Sequence, residues 1–165
     1  MPIAAAVVVV FGTLLFIMRP SSESLLARDV VAAHVRSLMP GHLTDVLSSD
    51  QHTVKPWFNG RLDFSPPVQD LATRGFPLLG GRLDYIDGRP VAALVYQRRL
   101  HVMNLFIWPA GHTNAAEGSS TQNGYRMIQW QQSGMNYCAI SDVGEGDLRE
   151  FIASVRGQAS PPRLP

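Results

Sequence analysis

His52, Lys55, Trp57 and Arg61 place a histidine, two cations and a large aromatic within ten residues. A cation beside an indole suits a groove for a ligand or an anchor for a protein partner. The plainer account has Trp57 and Phe58 closing one end of the core while Lys55 stays in solvent, because basic stems often lie along buried aromatics. Nothing else is spaced for chemistry. The histidines His34, His42, His52, His101 and His112 do not pair at ligand spacing, and there is neither an HExxH nor a CxxC. Cys138 is the single cysteine, so no intrachain disulfide can form. Lying in an expected strand, it reads as a small hydrophobe rather than a reactive thiol. Serines and carboxylates are scattered, with no GxSxG elbow and no paired-acid motif. Gly80-Gly81 precedes an expected strand and not a helix, which argues against a phosphate loop. The expectation is no catalytic residue, no metal ligand and no cofactor: a protein that is not an enzyme.

The elements that hold these residues are more legible. Residues 82–108 read as a three-strand meander. Arg82–Ile86 is followed by Asp87-Gly88, a dipeptide that tolerates the positive φ of a tight hairpin. Pro90 stands at a strand entrance, where its missing N–H costs least. In Val91–Gln97, Val91, Ala93 and Val95 share one face and Ala92, Leu94 and Tyr96 the other. Both faces are apolar, so this strand should be central and covered on both sides. Arg98-Arg99 forms an exposed corner before the third strand, His101–Trp108. A second hairpin is expected over residues 125–141 around Ser133-Gly134.

Helices are expected near 22–38, 67–74 and 145–156. The first carries Leu26, Val30, Ala33 and Ser37 on one stripe, widened by Val31 and Val35. Pro40-Gly41 ends it. The second opens at Ser65-Pro66-Pro67 and stops at Gly75. The third places Leu148, Phe151, Ile152 and Val155 at i, i+3, i+4 and i+7. Leu43–Ser48 and Arg61–Phe64 read as short strands, with either a helical turn or an extended run over 51–58 between them. Residues 109–124 lack apolar periodicity and read as a long mobile loop. The fold class is thus α+β: a mainly antiparallel sheet packed with helices.

Residues 2–18 carry no charge. As a helix they cover roughly 25 Å, just under a hydrocarbon core of about 30 Å. A cleaved signal usually has a basic n-region and a small-residue cleavage site, whereas Met18-Arg19-Pro20 follows here. A buried helix would show a polar stripe. The preferred reading is an N-terminal transmembrane helix, giving an anchor at 1–19, a domain at 20–156 and a disordered tail at 157–165. The bilayer is then a partner through residues 2–18. Arg19, Arg28 and Arg36 follow the segment and, taken alone, favour a cytoplasmic domain. The net charge of +1 argues against a large nucleic-acid footprint.

Two long strings sharpen this outline: VVAAHVRSLMPGHLTDVLSSDQHTVKPWFNGRLDFSPPV and GFPLLGGRLDYIDGRPVAALVYQRRLHVMNLFIWP. Together they make the run from Val30 to Trp108 resemble the extracytoplasmic part of bacterial transmembrane anti-sigma factors. The resemblance implies a single-pass protein of the inner (cell) membrane whose C-terminal domain lies in the periplasm. There it would sense or scaffold a signal for sigma-factor control. In that group a cytoplasmic N-terminal module, often bearing a His-x3-Cys-x2-Cys zinc motif, binds the sigma factor. This chain starts at the membrane segment, so a sigma factor would be reached only through a module missing here. No zinc ligand carries over. The alternative expectation is a membrane-tethered periplasmic assembly or binding protein without a sigma-factor partner.

Overall fold

Both tight hairpins form at the dipeptides that call for them. Asp87 and Gly88 have φ of 52° and 72°, and Ser133 and Gly134 have 51° and 74°, the left-handed pair that matches the twist of the flanking strands. The computed structural model describes residues 22–48, 51–111 and 117–159. In chain order these give α1 (Ser22–Ser37), β1 (Val46–Leu47), α2 (Gln51–Trp57), a 3-10 turn (Ala72–Arg74), β2 (Leu78–Ile86), β3 (Arg89–Arg98), β4 (His101–Pro109), β5 (Gly118–Gln122), β6 (Tyr125–Gln132), β7 (Met135–Ser141) and α3 (Glu145–Ala159). The strands make one antiparallel sheet in the order β1-β2-β3-β4-β7-β6-β5. After β4 the chain crosses to the far edge and returns through β6 and β7 to pair with β4.

The sheet is covered on both faces, as the two apolar faces of β3 require. Val91 and Ala93 join Phe106, Cys138 and Ile140 under Val30, Val31 and Ala33 of α1. Ala92, Leu94 and Tyr96 join Leu105, Ile107 and Ala139 under Leu148, Phe151, Ile152 and Val155 of α3. Val54 and Phe58, at α2, extend this second core. The result is an α+β domain of three layers.

Several expectations need correction. Gly80-Gly81 lies inside β2, beside a bulge between Leu78 and Gly80. A Cβ at Gly80 would run into the Val46 carbonyl oxygen, and one at Gly81 would sit 3.0 Å from Phe58 and Val54. The pair therefore lets β1 and α2 close onto the sheet. The helix expected at 67–74 shrinks to the single 3-10 turn. Asp70 Oδ1 accepts the Ala72 N–H, and the Gln69 carbonyl accepts the Tyr96 hydroxyl. These bonds compete with a helical ladder. Gly75, at φ 82°, still ends the turn. Arg61–Phe64 is no strand: Arg61 and Leu62 donate to the Phe58 carbonyl, leaving one isolated bridge from Asn59 to Leu62.

The long loop is shorter than expected, because 118–122 forms β5 and closes on β6 through Asn123-Gly124 at φ 53° and 84°. Residues 112–116 of that loop lie outside the described residues. Helix α3 runs to Ala159, three residues into the expected tail, and 160–165 lie outside the described residues. The apolar segment 2–18, with the expected transmembrane helix, also lies outside them. No helix among the described residues is long and apolar enough to cross a membrane.

The Arg98 corner is not exposed. Its guanidinium pairs with Asp147 at 3.1 Å and Glu150 at 2.9 Å and lies 4.6 Å over the Phe76 ring. The outermost turn is Arg99-Leu100, where Arg99 reaches Asp147 only at 3.7 Å and Leu100 is exposed. Arg98→Ala should therefore cost about 1–2 kcal/mol, the scale of a partly buried ion pair plus a cation–π contact. Arg99→Ala should stay within about 0.5 kcal/mol. Chemical denaturation of the two variants would check the order.

Candidate functional site

The cluster singled out in the sequence sits where α2 meets the following turn. Val54 and Phe58 are fully buried and pin this seven-residue helix to the sheet. Pro56 falls near its end, where the helix is already terminating. Trp57 is half-buried and packs edge-on against Phe58, with centroids 5.2 Å apart. The Arg61 guanidinium lies 4.6 Å over the Trp57 indole and donates from Nη1 to the Trp57 carbonyl at 2.7 Å. Trp57 and Arg61 thus form one cation–aromatic plate.

His52 and Lys55 are exposed and face a different space. With Pro56 and Val68 they line an open cavity of about 310 Å³. Val68 arrives from the irregular segment before the 3-10 turn. The four residues thus form two adjoining features, an Arg61–Trp57 plate and a His52–Lys55 recess, and not one pocket. Both present positive charge or ring edges to solvent, which suits an acidic or carbonyl-rich protein segment.

A second polar constellation, unmarked in the sequence reading, lies buried between α1 and the sheet. Asn104 of β4 donates from Nδ2 to His34 Nδ1 and to Ser37 Oγ, each at 2.9 Å, and the Ser37 hydroxyl donates to the His34 carbonyl at 2.7 Å. With Nδ1 accepting, the His34 proton sits on Nε2. Arg82 of β2 reaches Asn104 Oδ1 at 3.4 Å and the Leu43 carbonyl at 3.3 Å, and donates from Nε to Asp84 at 3.2 Å. Asp84 also takes Arg36 of α1 at 2.8 Å. Tyr125 packs edge-on against the His34 ring at 4.8 Å.

Burial, reinforced by the Arg82 charge, lowers the His34 pKa to about 4, with Asp142 pulling weakly the other way. Burial also pulls Arg82 below its usual value, opposed by Asp84. The network fixes α1 on the sheet, and its Asn104–His34 bond needs an unprotonated Nδ1. Two signals pointed to it: a polar Asn104 within an apolar strand, and His34 four residues after Val30 on the buried stripe.

The other histidines gather no ligand set. His101 pairs with Asp142 at 2.9 Å, and among the described residues no three of His, Cys, Asp or Glu converge on a metal-sized space. Cys138 is buried beneath α1, and burial raises its thiol pKa well above the ordinary value.

No family model and no curated protein matches the sequence. The fold is similar to part of two solved structures, the Pseudomonas aeruginosa MucA/MucB complex and MucB in complex with MucA(peri). Each is 19% identical over 53% of this chain, with a TM-score of 0.40. The match covers 30% and 32% of those chains, so this chain spans about a third of their length. A likeness at that score carries no argument about function.

Proposed function

We propose that residues 22–159 form the extracytoplasmic domain of a single-pass membrane regulator of the anti-sigma factor type, which receives a protein signal and does no chemistry. The sequence resemblance over Val30–Trp108 supports this reading. The observation that carries it is where those residues fall. They build α1, α2 and the β2–β4 core, and they set the Arg61–Trp57 plate and the His52–Lys55 recess side by side on the surface. In this reading α1 joins the domain to the membrane segment at residues 2–18, so a contact at α2 and the anchor communicate through the sheet both helices pack on.

A reporter for the cognate sigma pathway, run with the complete protein, tests this. Lys55→Ala with Arg61→Ala should shift output at normal membrane abundance, because truncating an interface anchor commonly costs more than about 1 kcal/mol of binding. Arg149→Ala, an exposed α3 cation paired with Glu145 at i,i+4, should leave output unchanged. Equal output from wild type and the double variant would reject the cluster as the contact site.

A further inference from the structure

The sheet ends differently on its two sides. At one edge β1 is only two residues long, and α2 packs beside it. At the other edge β5 is five residues, Gly118–Gln122, paired among the described residues with β6 alone. Proteins normally blunt such an edge with lysine, proline, a bulge or a covering segment. The sequence of β5, GSSTQ, has no charge and no proline, and Ser119, Ser120 and Thr121 are exposed.

We infer that β5 pairs antiparallel with β5 of a second copy of this chain, making a two-fold dimer with one continuous sheet. The strand is self-complementary about its centre. With the dyad at Ser120, that residue meets its own counterpart, Ser119 meets Thr121, and Gly118 meets Gln122. Facing hydroxyl side chains are favourable cross-strand neighbours, and no like charges oppose one another. An isologous contact of this kind closes at two copies, so the exposed edges do not propagate into fibres.

The surroundings of β5 fit the same dyad. The start of α1 lies over this edge: Glu23, Ser24, Ala27 and Arg28 wall a groove of about 550 Å³ along Gly118–Gln122. The two-fold axis of an antiparallel pair stands perpendicular to the sheet. Both copies therefore present α1 on the same side, with the start of each α1 near the axis. Glu23 and Arg28 bring opposite charges to that rim, so the copies do not repel. Five paired residues bury less than the roughly 1,200–2,000 Å² of a standard stable interface. The dimer is accordingly weak and dependent on concentration, and confinement to a common surface strengthens it.

Cross-linking of the full chain in detergent or native membranes tests the arrangement, with buried Cys138 as silent background. Under mild oxidation Ser120→Cys should give covalent dimer as the main species, since facing residues of an antiparallel pair fall within disulfide reach. Gln122→Cys, two positions from the axis, should give only traces. Sedimentation of Ser120→Lys and Ser120→Glu should show each alone as monomer and the two mixed as dimer. Weak or equal cross-linking at both positions, or wild-type protein monomeric up to about 1 mM, overturns the proposal. So does a dimer that survives Ser120→Lys. Capture of an extended peptide by β5 in place of a second copy would appear as such a monomer and count against it equally.

Discussion

Leu94→Asp is expected to leave the purified protein unfolded at room temperature. Leu94 lies in β3 with no solvent exposure, paired to Gly81 on one side and Leu105 on the other. Its side chain belongs to the core shared with Phe58, Phe76 and Phe151. Losing a buried leucine removes about 1.5–3 kcal/mol of transfer free energy. A carboxylate without a partner in the same space adds several kcal/mol more, or forces protonation. The total exceeds about 4–5 kcal/mol, against a typical domain stability of about 5–15 kcal/mol. Leu100→Asp is the matched control, at a side chain 93% exposed in the β3–β4 turn, and should shift stability by no more than about 0.5 kcal/mol. Circular dichroism melts of the two proteins read the difference. A cooperative native-like melt for Leu94→Asp would mean that the pairing of β3 is out of register.

The parts of this fold that could be read in advance are those where a local pattern and a local turn agree. The meander combines period-2 alternation with Asp87-Gly88, and α3 combines an i, i+3, i+4, i+7 stripe with acids in its first turn. Where the deciding bond is long-range, the pattern misled. Residues 67–74 carry helix-start signals, but the hydroxyl of Tyr96 takes the Gln69 carbonyl from 27 residues away. β5 has no alternation to reveal it, since GSSTQ is polar throughout. Its local mark is Asn123-Gly124, a hairpin dipeptide of the same kind as Asp87-Gly88.

The candidate site divides along the same line. Trp57 and Arg61 are four residues apart, and their stacking follows from proximity in the chain. The recess at His52 and Lys55 needs Val68, which only the tertiary fold supplies. Arg98 reads as an exposed corner because its acidic partners Asp147 and Glu150 lie 49 and 52 residues further on. His34 meets Asn104 across 70 residues, so a histidine on an apolar stripe could be marked as buried but not as hydrogen-bonded.

Mild acid should loosen α1 before it denatures the rest. His34 is 1% exposed, and its pKa is held near 4, against 6.5 for an unperturbed histidine. Between those values the unfolded chain binds a proton that the folded chain refuses. Stability is thus fully present above about pH 6.5 and falls as pH drops toward 4, by about 3 kcal/mol in total. The groups around the ring set the sign. Arg82 from β2 opposes a second positive charge, the Asn104 amide has only N–H to offer Nδ1, and Asp142 after β7 gives weak compensation. Arg82 is itself balanced by Asp84, which Arg36 of α1 also holds, so little negative charge is spare. Cys138 lies in the core under α1 and reports its release. Labelling by dithiodipyridine, which reacts in acid, should be faster at pH 5 than at pH 7.5 in the native protein. His34→Gln removes the titration and should flatten that difference while keeping a polar side chain near Asn104. A native protein labelled no faster at pH 5, or a His34→Gln variant with the full acid response, would show that some other group governs α1.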